Sequence, residues 1–238
     1  MTERVQKLIA KAGICSRRAA EVLLAEGRVA CNGRVAALGD KADPETDVIS
    51  IDGKEIAFTE KTVYLMLNKP RGYVTTLRDE LGRRTAAELV EDCGVRVFPV
   101  GRLDRDSEGL LLFTNDGALM QAMTHPSHQI DKTYEVTVNG VLDGAAQRLA
   151  AVCDLEGEPI APAKVETVRQ QGGQALLRVT IHQGKNRQIR RMCAQVGLHV
   201  ARLRRISEDV LRLDGLKPGQ WRYLTEAEIS ALKGSERI

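Results

Sequence analysis

Apolar residues near the start of the chain recur at helical spacing. They lie three or four positions apart, which predicts a short helix over residues 3–12. Gly13 follows, and glycine ends helices readily because it adopts the left-handed conformation without strain. The apolar positions are Val5, Leu8, Ile9 and Ala12.

A second short helix is predicted over residues 17–25. Ser16 precedes it with the side chain of a favoured N-cap, and Gly27 follows as its terminator. The residues expected to face inward are Ala19, Val22 and Leu23. Arg17 and Arg18 fall in the first turn, where the helix dipole disfavours a cation. This placement indicates either plain solvated charge or a bound polyanion.

The pattern then changes to short strands. Residues 28–31 lead into Asn32-Gly33, and residues 48–51 lead into Asp52-Gly53. Both dipeptides favour tight hairpins, because their residues tolerate positive φ. Residues 1 to about 57 are therefore predicted to form two helices on a small sheet.

The rest of the chain alternates β-rich runs with helical stretches. A polar stretch at 58–62 predicts a linker, giving domains at residues 1–60 and 61–238. The predicted strands cover residues 63–67, 98–100, 109–114, 134–138, 175–181 and 200–206. The predicted helices lie near residues 85–92, 117–124, 143–151 and 187–196. Strands outnumber helices and there is no glycine-rich phosphate loop, which predicts an α+β fold with a mixed, mostly antiparallel sheet.

The composition is that of a folded globular protein. Of 238 residues, 43% are apolar, enough for a sizeable core in one or two domains. No apolar run approaches the roughly 18 residues of a membrane span, and the start lacks the apolar region of a signal peptide. These features predict a cytoplasmic protein. The five cysteines are scattered singly, without the spacing of zinc ligands, so no metal site is expected.

Basic residues are concentrated in two segments, although the formal net charge is only +3. Residues 1–41 contain eight basic and four acidic residues, a net +4. Residues 185–205 contain seven basic residues and no acid. Such densities predict phosphate-binding faces. The aromatic fraction of 3% is too small for a platform that stacks several bases, so charge and shape would carry the binding of a nucleic acid.

One loop collects charged groups between two apolar runs, after residues 96–100 and before residues 110–113. Its charged residues are Arg102, Asp104, Arg105, Asp106 and Glu108. Catalytic groups often lie on loops that a rigid scaffold holds. One alternative is a surface hairpin whose charges pair with one another. Another is an acid–base pair of Asp104 and Asp106, in which like charges would raise one pKa.

Four motifs resemble those of pseudouridine synthases and occur in that family's order. The charged loop reads Gly-Arg-Leu-Asp at 101–104 and Ser-Glu-Gly-Leu-Leu-Leu at 107–112. The others are Leu-Asn-Lys-Pro-Arg-Gly-Tyr at 67–73, Lys-Thr-Tyr at 132–134 and Gln-Gly-Lys-Asn-Arg-Gln-Ile-Arg-Arg-Met at 183–192. Arg-Val-Gln-Lys-Leu-Ile at 4–9 and Ser-Arg-Arg at 16–18 resemble the alpha-L RNA-binding module of a small-subunit ribosomal protein family. The chain is thus similar to the ribosomal RNA pseudouridine synthases that carry this module.

The resemblance implies catalytic roles for three residues. Asp104 would be the nucleophile, attacking either the sugar or the base. Arg190 would pair with it, because a carboxylate beside a uracil would otherwise tend to become protonated. Tyr134 would lie against the target base and assist removal of a proton, although without the family match it could equally be a core tyrosine. Ile189 would form the floor of the site. The reaction needs no electron or group carrier, so no cofactor is expected.

The resemblance also implies RNA contacts. Arg102 would fill the space that a flipped uridine leaves, with a salt bridge to Asp106 or Glu108 as its alternative role. The other residues expected to bind RNA are Arg17, Arg18, Lys69, Lys185, Arg187 and Arg191.

The RNA target is less closely defined. Within the family, the motifs resemble most the F-type enzymes that modify large-subunit ribosomal RNA, which predicts a uridine of that RNA as the target. Those enzymes tend to carry a long basic C-terminal extension that this sequence does not show, so small-subunit ribosomal RNA or tRNA stays an alternative. A non-catalytic ribosome-assembly protein of the same fold is another. Nothing in the sequence indicates an oligomer, and a monomer is expected.

Overall fold

A computed structural model describes residues 2–58 and 61–234. The chain divides into two compact units: Met1–Thr62 with Gly94–Arg96, and Val63–Cys93 with Val97–Ile238. The linker predicted at 58–62 falls partly outside the described residues, at positions 59 and 60. Within the described part of the chain, no helix is long and apolar enough to cross a membrane.

The first unit combines two helices with small sheets. Its elements are, in chain order, β1 (Glu3–Arg4), α1 (Val5–Lys11), α2 (Arg17–Ala25), β2 (Val29–Cys31), β3 (Arg34–Val35), β4 (Lys41–Ala42), β5 (Ile49–Ile51) and β6 (Lys54–Glu55). Four strands pair in the order β3-β2-β5-β6, and β1 pairs with β4. Asn32 and Asp52 both have φ of 50°, and the glycine after each also has positive φ. Both predicted hairpins are confirmed, with the backbone of a type I′ turn.

The first predicted helix and its core are also confirmed. Val5, Leu8 and Ile9 of α1 are fully buried, and Gly13 after the helix has φ of 74°. The Ser16 hydroxyl accepts a hydrogen bond from the Ala19 amide at 3.1 Å, as expected of the N-cap of α2.

The inward face of α2 differs from the prediction. Its buried residues are Ala20 and Leu24, whereas Val22 is 55% exposed and Ala19 is exposed too. Ala20 and Leu24 are one helical turn apart and join the buried cluster that includes α1, with Leu23 partly buried against it. The helix is thus rotated by about one residue from the predicted orientation.

The second unit contains the large sheet. Its elements are β7 (Tyr64–Lys69), β8 (Phe98–Val100), β9 (Glu108–Thr114), α3 (Gly117–Thr124), β10 (Lys132–Gly140), α4 (Ala145–Ala150), β11 (Asp154–Leu155), β12 (Glu158–Pro159), β13 (Lys164–Gln171), β14 (Gln174–Ile181), α5 (Gln188–Gln195), β15 (Leu198–Glu208), β16 (Leu211–Arg212), β17 (Trp221–Tyr223) and α6 (Glu226–Gly234). Two 3₁₀ helices cover Glu88–Cys93 and Pro126–His128. The first of them replaces the helix predicted near 85–92.

The main strands pair in the order β13-β14-β10-β15-β9-β7-β17, with β8 beside β9 and β16 beside β15. Only β15 and β9 run parallel among these pairs. The predicted α+β class with a mixed, mostly antiparallel sheet is confirmed. Strand β13 was not predicted, because this edge strand is mostly exposed and its sequence has no regular apolar alternation. The elements β17 and α6 were not predicted either.

The centre of the sheet is apolar on both faces. Every residue of β7 and β9 is buried. Side chains of one face form a buried cluster with residues from α3 and α6, including Tyr64, Met66, Leu110, Leu112 and Leu119. The segments that are connected to the ends of β7 and β9 are therefore anchored in the core.

Candidate active site

The charged loop predicted to carry the chemistry spans residues 101–107, between β8 and β9. Its two flanking strands pair with each other, with Val100 opposite Leu112. Both residues are buried, so the ends of the loop are fixed in the core. The Asp104 side chain is 37% exposed. A carboxylate is thus held on a rigid frame while its oxygen atoms remain accessible.

The segment that follows β7 is hydrogen-bonded to the backbone of this loop. The Thr75 hydroxyl donates to the Leu103 carbonyl at 2.6 Å and accepts from the Leu103 amide at 3.2 Å. The Gly72 amide donates to the Arg105 carbonyl at 2.7 Å. These bonds fix the backbone on either side of Asp104. Sequence analysis missed the role of Thr75, for which only its place beside the early Lys-Pro motif gave a signal.

Lys69 does not lie where an RNA-binding residue must lie. It is fully buried, and its ammonium donates to the carbonyls of Ser107 at 2.8 Å and Pro70 at 3.0 Å. The prediction that it contacts RNA is wrong, because the last residue of a buried strand has no access to solvent. Burial lowers the pKa of Lys69 to about 8, against the attraction of Asp104 and Glu108. Lys69 instead supports the charged loop with a buried cation.

Two arginines hold the neighbouring carboxylate, Asp106. Arg187 donates to both Asp106 oxygens, at 3.1 and 3.0 Å, and its Nη1 also lies 3.6 Å from Asp104 Oδ2. Arg190 Nε lies 3.3 Å from Asp106 Oδ2. The pairing of Arg190 with Asp104 is therefore not what the structure has. Arg190 donates to the main-chain oxygens of Asp106 and Val200, and its Nε faces Asp106. Among the described residues, Arg187 is the cation that pairs with Asp104.

This arrangement disfavours an acid–base pair of Asp104 and Asp106. Burial raises the pKa of Asp106, but the hydrogen bonds from Arg187 and the charge of Arg190 outweigh it, so that pKa lies below its usual value. A carboxyl group held ionised in this way is a poor proton donor. The two side chains are equally exposed, but Arg187 and Arg190, from the start of α5, both hold Asp106, whereas Asp104 has only the 3.6 Å contact with Arg187 and is less restrained.

A cavity of about 560 Å³ opens beside Asp104. Its walls include Tyr134 and Ile189, which are 8% and 3% exposed, and Arg102 at the rim. Burial raises the pKa of Tyr134, with the charge of Arg205 acting against this, so its hydroxyl is neutral at physiological pH. The structure thus brings Asp104, Tyr134, Ile189 and Arg187 together around one space, whereas Arg190 does not line it.

The basic run at 185–205 is not a free positive surface. Each of its seven cations faces a carboxylate within 4 Å. The pairs are Lys185–Glu158, Arg187–Asp106, Arg190–Asp106, Arg191–Glu156, Arg202–Glu108, Arg204–Glu135 and Arg205–Glu208. The density of cations in the sequence does not reveal these pairs, because every carboxylate partner lies outside residues 185–205. Lys185 and Arg191, predicted to bind RNA, are tied to the β11–β12 hairpin.

Exposed arginines without a carboxylate partner lie on the charged loop and on the segment that supports it, within the described residues. Among the described residues at 70–86 and 101–107, five exposed arginines have no ion pair: Arg71, Arg78, Arg84, Arg102 and Arg105. Three of these, Arg78, Arg102 and Arg105, line a second cavity of about 600 Å³ that also reaches Asp104. The alternative salt bridge of Arg102 to Asp106 or Glu108 is not formed, since other arginines occupy both acids. Apart from Arg102, sequence analysis missed this cluster because its members are spread over 35 positions.

In the first unit, Arg17 and Arg18 are exposed at the start of α2, whose first turn contains no acidic residue. Neither has a carboxylate partner among the described residues. Among all the described residues, no group of three His, Cys, Asp or Glu side chains is arranged to hold a metal ion.

Comparison with known proteins gives consistent matches. Residues 63–195 match the model of the RNA pseudouridylate synthase family, and residues 3–49 match the S4 domain. An "Uncharacterized RNA pseudouridine synthase" of Aquifex aeolicus is 41% identical, with 98% of this chain and 94% of the relative covered. The "Ribosomal large subunit pseudouridine synthase B" of Bacillus subtilis is 40% identical, with 97% and 96% covered.

A third relative is the "Dual-specificity RNA pseudouridine synthase RluF" of Escherichia coli, 37% identical, with 95% of this chain and 77% of the relative covered. The likeness to F-type enzymes is thus accompanied by a slightly higher identity to a B-type enzyme. A solved structure described as "Crystal structure of pseudouridylate synthase" has a TM-score of 0.67 and 31% identity, and the match covers 96% of this chain and 99% of that one.

Proposed function

The chain belongs to the RNA pseudouridylate synthase family, and from that premise we propose that it isomerises one specific uridine of ribosomal RNA with Asp104 as the nucleophile. The observation that carries the assignment of Asp104 is its position. It is the less restrained carboxylate on a loop fixed by two core strands, and it lines a cavity with a buried tyrosine. The names of the Bacillus subtilis and Escherichia coli relatives support an RNA substrate and, for the first, the large ribosomal subunit.

In the proposed reaction, a uridine turns out of the RNA and its base enters the cavity of about 560 Å³. Asp104 attacks the sugar at C1′ while the C1′–N1 bond breaks, and the base then rejoins the sugar through C5. Arg187, whose Nη1 lies 3.6 Å from Asp104 Oδ2, places a positive charge beside the attacking carboxylate. Tyr134 lies against the base and assists loss of the C5 proton, and Ile189 packs below the ring.

RNA would be held by arginines that no carboxylate neutralises. The five exposed arginines described above lie on the segments that carry or support Asp104, and Arg102 reaches both cavities beside it. Phosphate contacts of this kind position the backbone without reading its sequence. Arg17 and Arg18 at the start of α2 add a phosphate-binding helix end in the S4 domain. We propose that Arg102 fills the space in the base stack that the flipped uridine leaves.

We place the enzyme in the cytoplasm, where ribosomal RNA is made in bacteria, and we expect it to act as a monomer without a cofactor. Large-subunit ribosomal RNA is the favoured target, and small-subunit ribosomal RNA or tRNA is the alternative. A non-catalytic RNA-binding protein has no need of Asp104, so this residue separates the two classes of function.

The test is to map pseudouridine in ribosomal RNA and tRNA from cells that lack the protein. These cells are complemented with the wild type, with Asp104→Asn or with Asp143→Asn, which alters an exposed carboxylate before α4 as a matched control. We expect one position to lose pseudouridine in the deletion strain and to regain it with the wild type and Asp143→Asn alone. If no position depends on Asp104, the enzyme assignment fails and RNA binding alone remains.

A further inference from the structure

A β-bulge in β15 turns two buried ionic side chains into the cavity that contains Asp104. The register between β10 and β15 shifts between Thr133 and Tyr134, so that Ile206 has no register partner on β10. In a regular strand, Arg205 and Glu208 are three residues apart and would point to opposite faces. The extra residue places both on the inner face, where each is at most 2% exposed. Their side chains form an ion pair of 3.2 Å.

Lys132 adds a second cation to this pair. It is the register partner of Glu208 and lies two residues before Tyr134, on the same face of β10. Its ammonium donates to the Ile130 carbonyl at 3.2 Å. Burial lowers the pKa of Lys132, and the charge of Glu208 acts against that effect. Lys132, Arg205 and Glu208 all line the same cavity as Asp104.

The cluster has an excess of positive charge. Two cations face one carboxylate on the cavity wall, Asp131 and Asp209 also attract Lys132 from outside that wall, and the neighbouring Tyr134 is neutral. The two atoms of this ion pair, Arg205 Nη2 and Glu208 Oε2, are buried, and in the described part of the chain neither makes a hydrogen bond besides their mutual contact. A buried charge without a full set of partners costs free energy, so an uncompensated cation at a cavity wall suits a negatively charged occupant.

The proposed reaction produces such an occupant. When Asp104 attacks C1′, the electron pair of the C1′–N1 bond stays on the base, which becomes a uracil anion with charge spread over its nitrogen and oxygen atoms. The anion turns, its C5 attacks C1′ and displaces the Asp104 carboxylate. A proton then leaves C5 and one is added at N1, so atoms and charge balance. In a closed cavity the charge of the anion is costly unless fixed cations face it.

We propose that Lys132 and Arg205 stabilise this detached uracil anion, while Glu208 holds Arg205 in place. The inference rests on the proposed function, because it requires cleavage of the C1′–N1 bond. Arg205 also donates through Nε to the Leu110 carbonyl at 2.7 Å, so it is part of the packing as well. Lys132 makes one main-chain hydrogen bond and is the better residue to test.

The experiment measures single-turnover rates on the RNA substrate with either uridine or 5-fluorouridine at the target position. Fluorine withdraws electrons, so the 5-fluoro base leaves as a more stable anion and needs less help from the enzyme. Fluorine also blocks proton loss at C5, so the readout for both substrates is disappearance of the N-linked nucleoside from nuclease digests. The variants are Lys132→Met, Lys132→Gln and Lys132→Arg, with Arg178→Met as the control. Arg178 is a half-exposed cation of the same sheet that pairs with Glu166 at 3.7 Å, away from the cavity.

We expect Lys132→Met and Lys132→Gln to lower the rate on uridine by about 100-fold and on 5-fluorouridine by about tenfold or less, as for loss of one preorganised charge donor. Lys132→Arg should keep most of the activity, Arg178→Met should match the wild type, and RNA affinity should not change. An equal fold loss on both substrates would show a structural role and overturn the inference, as would a loss in Lys132→Arg as large as in Lys132→Met. A wild type that forms no pseudouridine in any RNA would instead overturn the proposed function, and this inference with it.

Discussion

Replacing Lys69 with methionine measures separately how much its buried charge destabilises the fold and how much it contributes to the position of Asp104. Methionine is close to lysine in length and volume, so Lys69→Met removes the ammonium without opening a large cavity. The ammonium is fully buried below the catalytic loop and donates to the carbonyls of Ser107 and Pro70. The substitution therefore tests whether this cation stabilises the fold or the position of Asp104.

The pKa of Lys69 sets the size of the effect on stability. It lies at about 8, against the usual 10.5, and at about 1.4 kcal/mol for each pH unit this difference corresponds to about 3 kcal/mol of destabilisation. This figure compares charged with neutral lysine; the further step to methionine leaves the Ser107 and Pro70 carbonyls without their donor, which costs about 1.5 kcal/mol each in the opposite direction. The two contributions nearly cancel, so at pH 7 we expect the free energy of unfolding of Lys69→Met to lie within about 1 kcal/mol of the wild type.

The free energy of unfolding should depend on pH in a definite direction if Lys69 is a buried cation. Below pH 8 the folded and unfolded chains both hold the Lys69 proton, and the cost of burial is complete. Between pH 8 and 10.5 the unfolded chain binds more protons, so the free energy of unfolding rises with pH, and above 10.5 it stops rising. The wild type should therefore gain about 3 kcal/mol relative to Lys69→Met across this range.

Urea unfolding at pH 7, 8, 9 and 10 measures the difference, with Lys164→Met as an exposed lysine control on β13. The single-turnover rate of Lys69→Met should fall by about 10- to 100-fold at pH 7, because a small displacement of Asp104 slows the chemical step. A stability difference that does not change with pH would refute the buried cation. An unchanged rate would refute its role in positioning the loop.

Two further substitutions test other parts of the structure. Arg17→Ala with Arg18→Ala should weaken RNA binding and reduce the slope of log Kd against log salt by about 1.5, as for two lost phosphate contacts, when binding is measured by filter retention from 50 to 300 mM salt; an unchanged slope would count against the S4 contact. Gly109→Ala should lower the free energy of unfolding by about 3 kcal/mol or more, because φ is 108° and the new Cβ would lie 2.2 Å from the Arg205 carbonyl. Gly173→Ala, with φ of 73° and open space around it, should cost only about 1 kcal/mol and serves as the control.

The sequence was sufficient for local structure where one kind of signal dominated. Hairpins at Asn32-Gly33 and Asp52-Gly53 follow from their turn chemistry, and the buried face of α1 follows from its period. The face of α2 was misjudged because Ala19, Val22 and Leu23 form as good a stripe as Ala20 and Leu24. Only packing against α1 decides between them.

The contacts within the candidate site were harder to predict from the sequence than the local structure. The motifs located Asp104, Tyr134 and Ile189, and the structure brings all three to one cavity. They did not reveal that Lys69 is buried or that Arg190 faces Asp106, since both facts depend on contacts between segments far apart in the chain. Charge density likewise overstated the free positive surface at 185–205, because a sequence shows cations but not the carboxylates that fold against them.

The bulge at Ile206 makes the site depend on how β15 pairs as well as on the identity of its residues. A strand that paired regularly through Ile206 would keep Lys132, Tyr134, Arg205 and Glu208, yet regular alternation would carry Glu208 to the far face of the sheet. Every residue would be unchanged, and the ion pair would be gone. In comparisons between relatives, a single-residue gap at Ile206 is therefore compatible with the same site, because Arg205 and Glu208 would then stand two positions apart and share a face without a bulge.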